Sequence, residues 1–225
     1  MGKNIELTAS DGHKFSAYVA EPSGKPRGAL IVVMEIFGVN SHIKRVTDEY
    51  AADGYLCIAP AFFDRVERGL DVGYTPQDIE KARGLMQKMN FADALKDAEA
   101  AKQHVASAGK TGIIGWCWGG ALSFKAACNL DGLACAVAYY GGSIPSMIDE
   151  KPKCPVMFHW GETDASIPLD KAKEVAAAHK DQIHYFYPGA GHGFNCEQRG
   201  SYDKSSADIA RTRSLEFLRK HIAGV

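Results

Sequence analysis

Short apolar runs alternate with longer amphipathic stretches along the chain, and this alternation predicts strands and helices in turn. The apolar runs are rich in Val, Ile, Leu and Ala, as are strands buried on both faces, and they cover residues 29–34, 55–60, 111–114, 133–139, 155–160 and 183–187. The stretches with helical spacing predict helices over 43–53, 76–89, 91–108, 119–129, 170–180 and 205–221. The first twenty residues alternate moderately, and the turn residues at 10–13 predict a β-hairpin there.

Strands and helices alternate from residue 29 to the end of the chain, which is the pattern of βαβ units. The expected fold class is therefore α/β, with a mostly parallel central sheet and helices on both faces. Residues 62–89 are mixed and charged, and glycines and a proline interrupt them, so we expect an excursion from the core there. Because the sequence contains no repeat and no obvious linker, we expect one domain over 1–225.

The composition fits a soluble globular protein and excludes several classes of partner. The formal net charge is −1 at pH 7 and no long basic run occurs, so we expect no nucleic-acid partner. No apolar stretch approaches the roughly 20 residues that span a bilayer, and the first residues lack the apolar region of a signal peptide. We therefore expect no membrane association and a cytoplasmic location.

Six cysteines are scattered along the chain without a CxxC pair, which favours reduced thiols in a cytosolic setting. Four of them lie in or beside apolar segments and are interpreted as core residues: Cys57, Cys128, Cys135 and Cys154. Cys117 and Cys196 have a different sequence context, and Cys117 is the more informative of the two.

Cys117 lies within GWCWGG, residues 115–120, between a predicted strand and a predicted helix. A strand, a G-x-nucleophile-x-G turn and a helix form a nucleophile elbow, in which a sharp turn lifts one side chain clear of the sheet. Glycines are needed on either side because neighbouring strands and helices crowd any Cβ there. The positive end of the following helix would favour a thiolate. We therefore interpret Cys117 as a nucleophile, with a structural glycine-rich turn as the alternative.

An elbow nucleophile needs a base and an orienting acid, which follow it on later strand ends in the order acid, then histidine. Asp164 lies in a polar loop after the strand at 155–160, and His192 lies in a glycine-bracketed loop after the strand at 183–187. Taken singly, each could be a turn or surface residue. Together with Cys117 they predict a catalytic triad on an α/β-hydrolase fold.

The other histidines do not share this context. His159 lies within a predicted strand and is interpreted as a packing residue, and the rest are interpreted as surface or packing residues: His13, His42, His104, His179, His184 and His221. No pair of histidines has metal-ligand spacing with a carboxylate. We therefore expect no metal and no cofactor.

Three segments together resemble the dienelactone hydrolases (carboxymethylenebutenolidases): GWCWGG at 115–120, GETD at 161–164 and GAGHGF at 189–194. The resemblance covers nearly the whole chain in length and element order. The cysteine elbow is its specific part, because most α/β-hydrolases carry serine at that position. The resemblance implies hydrolysis of a lactone or ester, with a small molecule as the substrate.

The resemblance also assigns roles to residues around the elbow. Glu35 matches a glutamate that contacts the nucleophile in the family, holds its thiol until substrate arrives and helps to form the thiolate. By the same correspondence, the backbone N–H groups of Ile36 and Trp118 form the oxyanion hole. The implied mechanism is attack by Cys117, a thioester intermediate, and hydrolysis by water that His192 activates.

The family's substrate is a lactone that carries a carboxylate gripped by arginines. The candidates in this chain are Arg83, in the excursion, and Arg199, just beyond the histidine loop. Phe37, Trp116 and Trp118 are expected to wall the pocket and exclude bulk water. The family enzyme best known for dienelactone has an arginine very soon after the catalytic histidine, whereas here Asn195 and Cys196 occupy that stretch.

Two other functions remain open from the sequence. A general carboxylesterase or thioesterase would use the same triad on a different substrate. A non-catalytic or redox-sensing domain built on Cys117 is a further alternative. The non-catalytic interpretation predicts a degraded triad, whereas the redox interpretation needs a resolving thiol, for which Cys196 is the candidate.

Overall fold

A computed structural model describes residues 2–223 and contains one eight-stranded sheet. Its strands, in chain order, are β1 Lys3–Thr8, β2 Lys14–Ala20, β3 Ala29–Val33, β4 Leu56–Pro60, β5 Thr111–Trp116, β6 Leu133–Tyr139, β7 Val156–Gly161 and β8 Ile183–Tyr187. Across the sheet their order is β1-β2-β4-β3-β5-β6-β7-β8. The first two strands form the expected antiparallel hairpin, β2 pairs antiparallel with β4, and all other neighbours are parallel.

Six α-helices connect or follow the strands in the described chain, and their bounds are α1 Ser41–Ala52, α2 Pro76–Met86, α3 Phe91–Val105, α4 Trp118–Asn129, α5 Leu169–Ala178 and α6 Lys204–Leu218. Every residue of β3 and β5 is buried, so both faces of the sheet are covered at its centre. The α/β-hydrolase fold expected from the sequence is confirmed. Within residues 2–223, no helix combines the length and the apolar character that crossing a bilayer requires.

The element ends differ from the sequence expectation by a few residues, and side-chain caps account for the starts of two helices. Helix α1 begins earlier because Asn40 caps it, accepting a hydrogen bond from the backbone N–H of Ile43 at 3.2 Å. Helix α2 begins at Pro76 as expected, because Thr75 and Asp78 form a reciprocal capping box. Helix α3 ends at Val105, and a single 3₁₀ turn continues to Ala108.

The excursion at 62–89 crosses the carboxyl end of the sheet and closes over it. It opens with a 3₁₀ turn at Phe62–Arg65 and then runs to α2. Asp64 fixes the turn because its carboxylate accepts hydrogen bonds from the backbone N–H groups of Ser16 and Gly69, both at 2.8 Å. Arg65 anchors the turn to α3 through a buried ion pair with Asp97 at 2.7 Å. The excursion is therefore fixed at its start, and it places α2 beside the site described next.

Candidate active site

Five polar or reactive side chains follow the carboxyl ends of five strands. Glu35 follows β3, Cys117 follows β5, Tyr140 follows β6, Asp164 follows β7 and His192 follows β8. Because these strands are parallel, their carboxyl ends meet along one edge of the sheet, where ligands bind in open α/β folds. The order of the strands therefore gathers residues that are distant in sequence.

Cys117 occupies a strained turn between β5 and α4. Its φ is +56°, a left-handed value that residues other than glycine rarely adopt. The flanking glycines make the turn possible: a Cβ on Gly115 would lie 2.2 Å from the carbonyl oxygen of Gly119, and one on Gly119 would lie 2.3 Å from that of Met34. The spacing of glycines around the cysteine is thus a steric requirement of the turn.

Cys117, His192 and Asp164 form a continuous chain of hydrogen bonds. The Sγ atom of Cys117 lies 3.1 Å from Nε2 of His192, and Nδ1 of His192 lies 2.8 Å from Oδ2 of Asp164. The other oxygen of Asp164 accepts the backbone N–H groups of Ser166 and Ile167 at 2.7 and 3.2 Å. Those two bonds fix the carboxylate, which in turn fixes the tautomer and the orientation of the imidazole.

The electrostatics of this chain favour a charged imidazole. Burial disfavours the protonated ring, but the charge of Cys117 and the hydrogen bond that His192 donates to Asp164 outweigh burial and raise the pKa of His192 to about 10. Cys117 also directly precedes the first residue of α4, where the free N–H groups and the helix dipole stabilise negative charge. The geometry therefore supports a protonated imidazole beside the sulfur of Cys117, at the positive end of α4.

Two residues that line the cavity with Cys117 carry the backbone N–H groups that were expected to form an oxyanion hole. Trp118 is the first residue of α4, so its N–H has no acceptor inside the helix. Ile36 lies just beyond β3, and its N–H donates no hydrogen bond to another group within residues 2–223. Both residues line the same cavity as Cys117 and His192.

That cavity has a volume of about 310 Å³ and opens at the carboxyl edge of the sheet. Apart from Cys117, His192, Ile36 and Trp118, its lining comprises Phe37, Ile79, Arg83, Met86, Gly142, Ser143, Ser166 and Arg199. Both candidate arginines therefore reach the site. Arg83 is exposed and forms no ion pair with any other described residue, so it is available to an anionic ligand.

Arg199 reaches the cavity in a different state, since it is paired with Glu35. Its Nη1 lies 2.8 Å from Oε1 of Glu35, whose side chain is 2% exposed. Its guanidinium also lies 5.8 Å from the ring centre of Phe37. The contact expected between Glu35 and the nucleophile is not formed. Sγ of Cys117 is bonded to His192, Oε1 of Glu35 is bonded to Arg199, and the buried Oε2 of Glu35 has no hydrogen-bond partner among the described residues.

Trp116 does not wall this cavity, and the expectation for it is corrected. Its ring packs 5.4 Å from that of Tyr139, and it lines a separate cavity beside Tyr50 and Arg211. Side chains alternate across a strand, so the last residue of β5 points away from the side on which Cys117 emerges. Trp118 keeps its expected place, where Phe62, Phe63 and Phe91 surround its indole.

Several cavity residues were not identified from the sequence. Ile79 and Met86 lie on α2 at four residues before and three after Arg83, so all three share one helix face. That spacing could have been found once Arg83 was a candidate. Ser166 and the pair Gly142 and Ser143 carried no comparable signal, because they lie in loops whose paths depend on tertiary packing.

A second polar cluster lies next to Glu35. The sequence indicated a surface or packing role for His42 and named Cys196 only as the candidate resolving thiol of the redox alternative. His42 is fully buried, its Nδ1 lies 2.8 Å from Oε2 of Glu197, and one ligand atom each of His42, Cys196 and Glu197 lie within 4.8 Å of one another. These residue types can ligate a metal. However, the guanidinium of Arg45 also binds Glu197 and lies 3.4 Å from Nδ1 of His42, so a cation already occupies the acidic side of the cluster.

Comparisons with known proteins find similarity to one family over nearly the whole chain. The model of the "Dienelactone hydrolase family" matches residues 15–222. The chain is 34% identical to a putative carboxymethylenebutenolidase of Synechocystis sp., over 93% of each chain. It is 31% identical to the carboxymethylenebutenolidase of Pseudomonas putida, covering 96% of this chain and 95% of that one. The crystal structure of a putative dienelactone hydrolase from Klebsiella pneumoniae is similar, with a TM-score of 0.82, 30% identity, and coverage of 97% and 99%.

Proposed function

Because the chain belongs to the dienelactone hydrolase family, we propose that it cleaves a carboxylate-bearing lactone or ester through a covalent bond to Cys117. Membership of the family makes it a hydrolase of esters or lactones. The proposal adds the nucleophile and the charge of the substrate. One observation carries it: the hydrogen-bonded chain from Asp164 through His192 ends on the sulfur of Cys117, inside a cavity that two arginines line.

Acylation begins when the substrate carbonyl enters the cavity above Cys117. The sulfur attacks the carbonyl carbon, and the backbone N–H groups of Ile36 and Trp118 donate to the oxygen as it gains negative charge. Collapse of the tetrahedral intermediate breaks the bond to the leaving oxygen and forms a thioester. The proton on His192 is available to an alkoxide leaving group, whereas an enol lactone expels a stabilised enolate that needs less help.

Deacylation uses the same residues in the reverse sense. Once His192 has given up its proton, Nε2 can accept one from a water molecule that attacks the thioester carbon. The imidazolium that forms is stabilised by Asp164, whose carboxylate lies 2.8 Å from Nδ1. Collapse of the second intermediate releases the acid and returns the sulfur to its pairing with His192.

The two arginines give the proposed preference for a carboxylate. Arg83 brings an unpaired charge from α2, and Arg199 has donors left over, since only Nη1 is bonded to Glu35. A planar guanidinium binds a carboxylate through two hydrogen bonds. The cavity walls between them are apolar side chains such as Phe37, Ile79 and Met86, where an anion without such a partner would be costly to desolvate.

The proposal extends to the setting in which the enzyme works. All six cysteines are free thiols in the structure, as a reducing compartment would keep them, and we place the protein in the cytoplasm on that ground. The family match covers residues 15–222, which supports a single catalytic domain over nearly the whole chain.

A covalent intermediate tests the proposal directly. The enzyme is mixed with the mono-para-nitrophenyl ester of succinic acid, quenched in acid during turnover, digested and analysed by mass spectrometry. We expect one succinyl group on the peptide that contains Cys117, with a larger fraction modified in Asp164→Asn, because deacylation needs an oriented base. Turnover without any acyl group on that peptide, together with an active Cys117→Ala variant, would rule out the cysteine mechanism.

A further inference from the structure

The loop that carries Arg199 is tied to the start of helix α1 by side chains on both partners. Nδ1 of His42 lies 2.8 Å from Oε2 of Glu197, and Nε of Arg45 donates to Oε1 of Glu197 at 3.1 Å. Ser41 and Gln198 exchange a further hydrogen bond at about 3.2–3.3 Å. All of these contacts end on the two residues immediately before Arg199, so α1 sets the place from which the arginine side chain starts.

His42 is the buried member of this group of contacts. Its side chain is fully buried, whereas that of Arg45 is 43% exposed and that of Glu197 is 32% exposed. Water competes for the hydrogen bonds of the exposed side chains, and exposed ion pairs contribute little to stability. Burial disfavours the charged imidazole, but the nearby sulfur of Cys196 and the hydrogen bond to Glu197 outweigh burial and raise the pKa of His42 to about 9. At neutral pH the bond to Glu197 is therefore charge-assisted, and its His42 end is buried away from water.

The guanidinium beyond this anchor has little freedom, so a shift of the loop would move it. It lies between Phe37 on one side and Gly193 on the other, where a Cβ on Gly193 would come within 2.5 Å of Nη1. Its remaining contact is the 2.8 Å bond to Glu35. Within the loop, backbone hydrogen bonds join residues that are close in sequence, and the N–H of Arg199 donates to the carbonyl of Cys196 at 3.1 Å. The N–H of Asp203 also donates to the carbonyl of Phe194 at 3.0 Å, and the side-chain contacts from α1 add a tie between this loop and another element.

We propose that His42 is a positioning residue, which holds Glu197 so that Arg199 stays at Glu35 and at the substrate cavity. This inference rests on the proposed function in one respect, namely that Arg199 receives the carboxylate of the substrate. His42 itself does not line the cavity and touches no reacting atom. Its effect on the reaction passes through the loop to the arginine.

Two substitutions at position 42 separate the hydrogen bond from simple packing. His42→Asn keeps an N–H donor close to the place of Nδ1, whereas His42→Leu fills the space without a donor. Ser41→Ala is the matched control, because it removes the neighbouring exposed contact to Gln198. The measured quantity is the ratio of kcat/KM for para-nitrophenyl hemisuccinate, which is anionic, to that for para-nitrophenyl butyrate, a neutral ester of similar size.

We expect His42→Leu to lower that ratio at least about 5-fold, as loss of a well-placed hydrogen bond to a charge would. His42→Asn should recover most of the ratio, and Ser41→Ala should keep it. In an Arg199→Ala background His42→Leu should change the ratio by less than about 2-fold, because residues that act through one contact are not additive. Equal losses on both esters, or an undiminished effect in the Arg199→Ala background, would overturn the positioning role.

A second measurement keeps this inference distinct from the proposed function. Hydrogen exchange of the peptide over 193–203 reports on the loop without any substrate. We expect faster exchange there in His42→Leu than in the wild type, and near wild-type exchange in His42→Asn. If Arg199→Ala leaves the ester ratio unchanged, the carboxylate role of Arg199 fails, yet the exchange data still decide whether His42 anchors the loop. Unchanged exchange in His42→Leu would overturn the anchor itself.

Discussion

Nη1 of Arg199 lies 2.8 Å from Oε1 of Glu35, although the two residues are 164 positions apart in sequence. Glu35 is almost completely buried, and a buried carboxylate is costly unless a cation or hydrogen-bond donors meet it. The guanidinium that meets it also lines the substrate cavity. Arg199 therefore neutralises the buried charge of Glu35, and the same guanidinium would present a cation to a substrate in the cavity.

The first prediction concerns the triad. Cys117→Ala, His192→Ala and Asp164→Asn should each fold normally and lose about 10³-fold or more of kcat, because residues of a triad act as a unit. Steady-state rates on a para-nitrophenyl ester, with circular dichroism to verify folding, provide the measurement. Cys128→Ala is the matched control, since Cys128 is a free, half-buried thiol that does not line the cavity. A near wild-type rate for Cys117→Ala would contradict the central claim.

The second prediction concerns the protonation state of the thiol. Sγ of Cys117 faces His192 at 3.1 Å and makes no hydrogen bond with Glu35. Iodoacetamide should therefore alkylate Cys117 at pH 6.5 faster than it alkylates free cysteine, and His192→Asn should slow the reaction at least about 10-fold. Glu35→Gln should have a much smaller effect. Slow alkylation that accelerates in Glu35→Gln would instead indicate that Glu35 holds a neutral thiol, as the family resemblance implied.

The fold, and the hydrogen-bonded arrangement of the three proposed triad residues, could be predicted because their causes are local. A strand buried on both faces needs an unbroken apolar run, and the turn at Cys117 needs glycine at positions 115 and 119, so both leave a signal in the sequence. The order of acid and histidine follows from successive strand ends. These features do not depend on how distant side chains meet.

The remaining parts of the site depend on contacts between side chains that are distant in sequence. The pairing of Glu35 with Arg199 requires the loop after His192 to fold back across the sheet, and no local pattern records that path. The side on which Trp116 lies was equally hidden, because β5 is buried on both faces and its apolar pattern does not alternate. The sequence around His42 predicts only a surface or packing residue, because its partner Glu197 is 155 positions away and only the fold brings the two together.

The third prediction compares two glycines in the loop that carries the catalytic histidine. Gly193 and Gly189 have φ values of +80° and +76°, so alanine should strain the backbone similarly at both, by about 1 kcal/mol. Only at Gly193 would the new Cβ strike Arg199, at 2.5 Å from Nη1, whereas a Cβ on Gly189 meets nothing within 4 Å. Gly193→Ala should therefore raise KM for an anionic ester well beyond the change in Gly189→Ala, despite a similar loss of unfolding free energy. Equal KM values for the two variants would show that Arg199 is not sterically confined there.

The fourth prediction concerns stability at alkaline pH. The pKa of His42 is raised to about 9 in the folded protein, against about 6.5 in an unfolded chain. A raised pKa contributes stability that is fully present below about pH 6.5 and is lost as the pH rises through about 9, on the order of 3 kcal/mol in all. The groups that face the ring are Glu197, Cys196, Arg45 and Glu35.

Urea unfolding of wild type and His42→Asn at pH 6.5 and pH 9.5 measures this contribution. Asparagine does not titrate in that range, so the decline in unfolding free energy between the two pH values should be smaller in the variant than in the wild type. Parallel declines would show that His42 does not carry a proton preferentially in the folded state.

The last prediction concerns the choice of substrate, and it separates a carboxylate-binding hydrolase from a general esterase. Arg83→Ala and Arg199→Ala should each raise KM for an anionic lactone or hemisuccinate ester by about 10- to 150-fold, the equivalent of 1.5–3 kcal/mol for a hydrogen bond to a charge. A neutral butyrate ester offers the guanidinium nothing to bind, so Arg83→Ala should leave its KM nearly unchanged.

Arg199→Ala also leaves Glu35 buried without its cation, and Glu35→Gln/Arg199→Ala is therefore the control that removes the unpaired charge. If the double variant recovers stability but not anionic KM, the arginine binds the substrate. If it recovers both, the contribution of Arg199 was to neutralise Glu35, and Arg83 alone would meet the carboxylate. Equal losses on anionic and neutral esters in Arg83→Ala would leave the cavity without a charge preference, as in a general carboxylesterase.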